Sequence, residues 1–308
     1  MALKLNQLRM FVAVADHGSF SAAAAELACT QSRISHAIAE LERELALRLL
    51  DRSHGGSVPT EAGRRVLEKA RGMLHLEQEL RASAGACADG AETLTGQVRV
   101  ACFRSVGTHL LPYAAEALAA ACPGVVLEID DGHLGRDALL DALRERRADI
   151  AVAQLPLGRG LTGLPWLHDD YVLVLPACRP ALQAFSWQQL DGLPLIQLAC
   201  PGADEVLERC RAAGLAVRTR HRLANDTSIA AMVARGMGYS IMPRLAVFPE
   251  PEGVRTLALP IPARRSFALA GDAATMRRPE VAAVLKILRS RKMVERTKAW
   301  QAGVLAWD

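Results

Sequence analysis

No stretch of the 308-residue chain stays apolar for the ~18 positions that a membrane-spanning helix needs. The opening MALKLNQLRMF also lacks the charged, apolar and cleavable layout of a secretory signal. The expectation is a soluble, cytoplasmic protein with no membrane partner. Seven cysteines, at 29, 87, 102, 122, 178, 200 and 210, form no CxxC pair. Neither a disulfide framework nor a zinc site is indicated, and most of them read as small buried apolar residues. HExxH, a nucleophile elbow and a Walker loop are missing too, so no enzyme, catalytic residue, metal or cofactor is expected. The string Gly158-Arg159-Gly160-Leu161-Thr162-Gly163 is a literal GxGxxG. It fails as a dinucleotide fingerprint because Leu164-Pro165-Trp166 follows at an expected interlobe crossover, where a helix would have to open.

Charge is in short supply where it would be informative. The net charge is +4, yet residues 1–60 hold six Lys/Arg and six Asp/Glu, so bulk charge gives no sign of nucleic-acid binding there. The basic excess sits in residues 277–298, where a solvated helix face accounts for it. What the chain does have is size and apolar content: 51% apolar over this length exceeds a single core, so two or three compact units are expected.

At the start, Leu5, Leu8, Val12 and Ala15 recur at helical spacing and stop at His17-Gly18. Ser21 then opens a short alanine-rich helix, and Ala28-Cys29-Thr30 makes a turn. Thr30 is an N-cap for a third helix whose apolar stripe, Ile34, Ile38, Leu41 and Leu45, leaves Gln31, Ser32, Arg33, Ser35 and His36 on its outer, N-terminal side. That is helix-turn-helix geometry, in which base-reading side chains cluster in the first two turns of the recognition helix. Gln pairs with adenine, and Arg with guanine or phosphate. From Thr60-Glu61-Ala62-Gly63 a long helix carries a seam of Ala62, Val66, Ala70, Met73, Leu76 and Leu80, which suits pairing with a second copy. Ser83–Thr95 reads as a hinge.

LNQLRMFVAVADHGSFSAAAAEL, TQSRISHAIAELERELALRLLDR and VPTEAGRRVLEKA together resemble the signature of LysR-type transcription regulators. The resemblance implies a winged helix-turn-helix over 1–60, with Arg52 in the wing touching phosphate, and a linker helix and hinge over 61–95 that makes a dimer or tetramer. The partner implied is double-stranded DNA with dyad half-sites. Ser32 and Arg33 depart from the family's usual Pro-Ala, so the base preference of this helix is its own.

From residue 96, short β-rich runs alternate with helical ones, which predicts a parallel sheet covered by helices. Two such sets joined by two crossovers give an α/β effector domain over 96–291, with lobe I at 96–165 and 264–291, lobe II at 166–263, and a cleft between them. GQVRVACFRSVGTHLLP, RADIAVAQ and NDTSIAAMVARGMGYSIMP resemble the effector half of the same family. The resemblance places Ser105, Gln154 and Thr227 at a small effector, and Phe103, Arg136 and Cys200 are further candidates for contact with it. Arg104, His133 and Arg136 favour an anionic one. An alternative is a redox-sensing regulator of the same fold: CPGADEVLERCRAAG is similar to the segment holding the redox cysteines of peroxide-sensing members, with Cys210 in step and Cys200 displaced by one. The extension 292–308, with Trp300 and Trp307, has no assigned use.

Overall fold

The computed structural model describes residues 3–51, 56–88, 94–178 and 186–308. The chain divides into two compact units, Met1–Gly96 with Arg144–Arg147, and Gln97–Leu143 with Ala148–Asp308.

The first unit is built from α1 (Leu5–His17), α2 (Phe20–Glu26), α3 (Gln31–Leu45), β1 (Leu50–Asp51), β2 (Val58–Pro59) and α4 (Glu61–Ala88). Gly18 closes α1 in the left-handed region at φ 63°, a conformation that glycine adopts without steric cost. Ser19, not Ser21, starts the second helix: its backbone is extended and its hydroxyl accepts from the Ala22 amide. The α1 stripe is also rotated from expectation. Leu8, Phe11 and Val14 are buried with Gln7, Met10 and Ala13, whereas Leu5 is exposed. A helix packed against α2, α3 and α4 at once needs a broad apolar face, not a single ridge. In α3 the stripe is where the periodicity puts it, with Ile34, Ile38 and Leu41 buried and Leu45 half-buried.

Two polar devices fix the chain after α3. The Glu42 carboxylate accepts from the backbone amides of Leu49 (2.7 Å) and Leu50 (3.2 Å). The Thr60 hydroxyl donates to the Arg48 carbonyl (2.6 Å) and accepts from the Gly63 amide (2.9 Å), so it caps α4 and ties it to the approach to β1. Gly63 has no room for a side chain, since a Cβ there would lie 2.0 Å from the Leu49 carbonyl oxygen. β1 and β2 pair antiparallel as the two sides of the wing. In α4, Leu67 and Ala70 are buried against this core, while Met73, Leu76 and Leu80 are exposed. The helix runs to Ala88, past Ser83 where the sequence places a hinge, because the alanine-rich run there is good helix-forming sequence. Residues 89–93 of that hinge lie outside the described residues.

The second unit contains β3 (Gly96–Phe103), α5 (Arg104–His109), α6 (Leu111–Ala121), β4 (Val125–His133), α7 (Arg136–Arg144), β5 (Ile150–Gln154), β6 (Thr162–Pro176), β7 (Leu195–Leu198), α8 (Pro201–Ala212), β8 (Thr219–Leu223), α9 (Asp226–Ala234), β9 (Ser240–Pro243), β10 (Val254–Ala258), β11 (Arg264–Gly271), α10 (Pro279–Leu288), α11 (Arg291–Glu295), α12 (Lys298–Gln301) and β12 (Ala306–Trp307). The main sheet runs β10-β6-β11-β5-β3-β4, and β9 and β12 also pair with β6.

Its organising element is the long strand β6. The first half, Thr162–Asp170, pairs with β11, and the second half, from Tyr171, pairs with β9 and β10. One unbroken strand therefore serves both lobes, and its change of partners falls between Asp170 and Tyr171, not at Leu164–Trp166. The sheet is mixed, which corrects the parallel expectation. Within it β3 and β5 are parallel, whereas β11 runs antiparallel to β5 and β6; β7 and β8 pair parallel in a separate two-stranded sheet. The reason is topological: the chain leaves lobe I along β6 and returns along β11, so the two crossing strands must run in opposite directions. The GxGxxG string leads into β6 and opens no helix.

Gly63→Ala is expected to destabilise the first unit by about 2 kcal/mol or more, because either the Leu49 carbonyl or the start of α4 must move. Urea denaturation followed by far-UV circular dichroism checks this, and an unchanged midpoint contradicts it.

Candidate functional site

The outer edge of α3 is assembled by its cap. The Thr30 hydroxyl accepts from the Arg33 amide (3.3 Å) and lies 3.1 Å from the Ser32 hydroxyl, which ties Ser32 to the cap. The Ser21 hydroxyl donates to Gln31 Oε1 (3.3 Å). Gln31, Ser32, Arg33 and His36 are exposed, Ser35 is half-buried, and His36 Nδ1 lies 3.7 Å from the Glu40 carboxylate. Among the described residues, the Arg33 side chain enters no hydrogen bond or ion pair. Arg52 lies outside the described residues. The structure thus places five of the six expected DNA-facing residues on two turns of one helix whose opposite face is clamped in the core. An exposed polar edge on a rigid helix has the geometry needed to enter a major groove.

The second unit is held at its chain crossings by a buried ion pair. Asp169 on β6 accepts from Arg265 on β11 through Nε (2.7 Å) and Nη2 (2.9 Å), and also from the Leu245 amide (2.9 Å). Asp169 and Arg265 are 1% and 5% exposed. Burial alone pulls the Arg265 guanidinium down, but the Asp169 carboxylate and its hydrogen bonds outweigh it and the net shift is upward. The guanidinium also lies over the rings of Phe103 (5.4 Å) and Phe267 (4.8 Å), and its Nη2 donates to Ser105 Oγ (3.3 Å). Ser105 and Phe103 are therefore part of this joint. Both are expected beside a ligand, and the structure gives each a partner within the protein.

Beside the joint, a cleft of about 250 Å³ is lined by Arg136, Asp137, Gln154, Leu155, Arg264 and Ser266 of lobe I and by Pro201, Gly202 and Glu205 of lobe II. Gly202 has little room for a side chain at the α8 end: a Cβ there would lie 2.8 Å from the Tyr171 hydroxyl. Of the expected effector residues, Arg136 and Gln154 line this cleft. Thr227 does not: it is exposed on the first turn of α9, and its amide donates to Asp226 Oδ1. The three cations expected to favour an anion are each matched by a carboxylate. Arg104 pairs with Asp226 across the lobes (3.0 Å), His133 with Asp130 (2.8 Å) and Arg136 with Asp137 (3.2 Å). Arg264, Ser266 and Glu205 join the cleft without a signal in the sequence. Arg264 and Ser266 alternate along a returning strand, and nothing local marks that strand as reaching the cleft.

Cys200 is the half-buried N-cap residue of α8, whereas Cys210 is fully buried in the lobe II core. Burial pushes the Cys210 thiol up to about 11, with Arg209 opposing. The two are ten positions apart on α8, a rise of roughly 15 Å along the axis. A disulfide needs Cα atoms within about 7 Å, so α8 must unwind before these two can bridge.

A helix-turn-helix with an exposed polar edge, joined to a two-lobed α/β unit with a polar cleft, defines the class as a DNA-binding regulator. Residues 5–64 match the family model described as bacterial regulatory helix-turn-helix protein, lysR family, and residues 91–292 match LysR substrate binding domain. The chain belongs to the LysR family of transcriptional regulators. It is 35% identical to the probable HTH-type transcriptional regulator LrrA of Synechococcus elongatus over 93% of this chain and 97% of that one. It is 31% identical to a probable hydrogen peroxide-inducible genes activator of Mycobacterium leprae, over 91% and 92% of the two chains. A full-length OxyR variant from Pseudomonas aeruginosa has the same fold, with a TM-score of 0.67 at 23% identity over 97% and 96% of the chains.

Asp169→Ala leaves a buried guanidinium without its counter-ion and is expected to cost about 3 to 5 kcal/mol. The double variant Asp169→Leu with Arg265→Met should recover most of that loss. Chemical denaturation of the three chains decides it, and a single variant as stable as the parent overturns the assignment of the joint.

Proposed function

We propose that this regulator binds operator DNA through Gln31, Ser32, Arg33, Ser35 and His36, with Arg52 on phosphate, and is controlled by a small polar effector held between the lobes. The observation that carries the effector reading is the cleft itself, which draws Arg136, Gln154, Arg264 and Ser266 from one lobe and Gly202 and Glu205 from the other. A ligand touching both walls binds one lobe angle better than another and so shifts the equilibrium between them. Since the cleft is lined by two cations, Arg136 and Arg264, and two carboxylates, Asp137 and Glu205, it suits a zwitterion or a neutral polar molecule better than a simple anion. The exposed Met73, Leu76 and Leu80 on α4 support pairing with a second copy, which would bring two reading helices to a dyad-symmetric site. The domain limits of 1–60, 61–95, 96–291 and 292–308 go with this reading.

Thermal-shift screening of the full chain against a metabolite panel tests the site. A stabilising compound should lose affinity at least tenfold, about 1.4 kcal/mol, in Gln154→Ala and in Ser266→Ala. It should keep its affinity in Thr227→Val. Stabilisation that persists in both cleft variants moves the effector elsewhere.

A second reading is favoured by the similarity to the probable peroxide-inducible activator: oxidation of Cys200, with or without Cys210 as its partner. Cys200 is the half-buried cap residue of α8, whereas burial disfavours the thiolate of Cys210. On this reading, Cys200→Ser abolishes the response of a reporter promoter to peroxide. The same response from the parent, Cys200→Ser and Cys210→Ser chains ends the redox reading.

A further inference from the structure

The segment that follows α10 lies against both crossing strands and against lobe II. Met293, Val294, Thr297 and Ala299 are buried, so α11 and α12 are anchored to lobe I, where Arg296 meets Glu116 on α6. Beyond them the chain turns toward the crossings. The Gly303 carbonyl accepts from Arg244 Nη1 of lobe II (2.8 Å). Val304 and Leu305 are buried, and Ala302 and Val304 face Val247, Phe248 and Thr256 of lobe II around a space of about 180 Å³. Ala306 and Trp307 then pair with His168 and Leu167 on β6, and the Asp308 amide donates to the Trp166 carbonyl (3.2 Å). The Asp308 carboxylate accepts from Ser266 Oγ on β11 (2.9 Å) and lies 3.6 Å from His168 Nδ1. Trp300 and Arg291 flank the Trp307 ring at 6.0 and 5.8 Å.

We infer that Gly303–Asp308 is a splint across the two chain crossings: it binds β6 and β11 on the lobe I side and Arg244 on the lobe II side, and so sets the resting angle between the lobes. Two antiparallel strands make a joint that bends, because few bonds cross it. A third strand laid along β6 just before its change of partners, and bonded on to the other lobe, resists that bending. Any closure of the lobes must stretch or remake the bond from Arg244 to the Gly303 carbonyl. Ser266 bonds to the splint and also lines the cleft, so the two share one side chain. The regulatory consequence rests on the effector reading; the mechanical claim does not.

Hydrogen–deuterium exchange of the full chain without any ligand tests the splint. Two variants are needed: one ended after Ala302, and Arg244→Ala, which leaves β12 in place and guards against simple unfolding. Ending the chain is expected to speed exchange at Leu167–Tyr171 and at Arg244–Phe248 at least tenfold. Arg244→Ala should do the same at Gly303–Leu305 and Arg244–Phe248. Exchange in α1–α3 and α8 stays at the parent rate in both. If lobe II amides at Arg244–Phe248 exchange at the parent rate in either variant, the segment is a cover on lobe I alone and the splint is overturned. If α8 accelerates as well, the effect is general loosening, which equally overturns it.

Discussion

The pairing of Asp169 with Arg265 is the constraint on which the effector half depends. A chain that passes twice between two lobes needs the passing strands to be held at the crossing, where neither lobe's core covers them. Here one carboxylate takes both guanidinium donors and the Leu245 amide, so each of its oxygens is used. The guanidinium faces two phenyl rings and a serine hydroxyl. An ion pair this buried contributes little net stability compared with an apolar pair of equal volume, but a half-broken one is costly. Its value is geometric: it fixes the register of β6 against β11, and through that register the positions of Arg264 and Ser266 in the cleft.

The first unit solves a smaller version of the same problem without a buried charge pair. Glu42, Thr60 and Gly63 tie the chain on either side of the wing to the ends of α3 and α4. With its lower face clamped by Ile34, Ile38 and Leu41, α3 has no freedom to roll, and its outer residues stay where a groove could receive them. Rigid presentation is what allows a few polar contacts to discriminate between bases.

Much of this was legible in the sequence, and the failures have physical causes. The α3 stripe could be read because one helix packs with one face. The α1 stripe is ambiguous in the sequence because three helices pack against it. Thr30 announced its cap, but Ser19 and Ser21 are both good caps two residues apart, and only backbone conformation separates them. In the effector half, apolar strands such as β3, β5 and β7 stood out. β8, with the sequence TRHRL, has no apolar alternation to find, and β12 is two residues long. Strand direction was missed because alternation of strands and helices does not say which strands return. The cleft was half legible for the same reason. Gln154 ends a strand and was found, whereas Arg264 and Ser266 belong to the returning strand. Ser105 was placed by resemblance, and its hydroxyl proves to be engaged with Arg265. Charge pairing of Arg104, His133 and Arg136 depends on residues brought together by folding.

On the function proposed for it, the exposed edge of α3 reads DNA sequence. Selection of bound duplexes from a random pool by the full-length chain tests it most directly. The account predicts enrichment of one dyad-symmetric sequence, with half-sites about one helical turn apart or a multiple of that. Enrichment of no sequence, with binding that tracks only ionic strength, would contradict it.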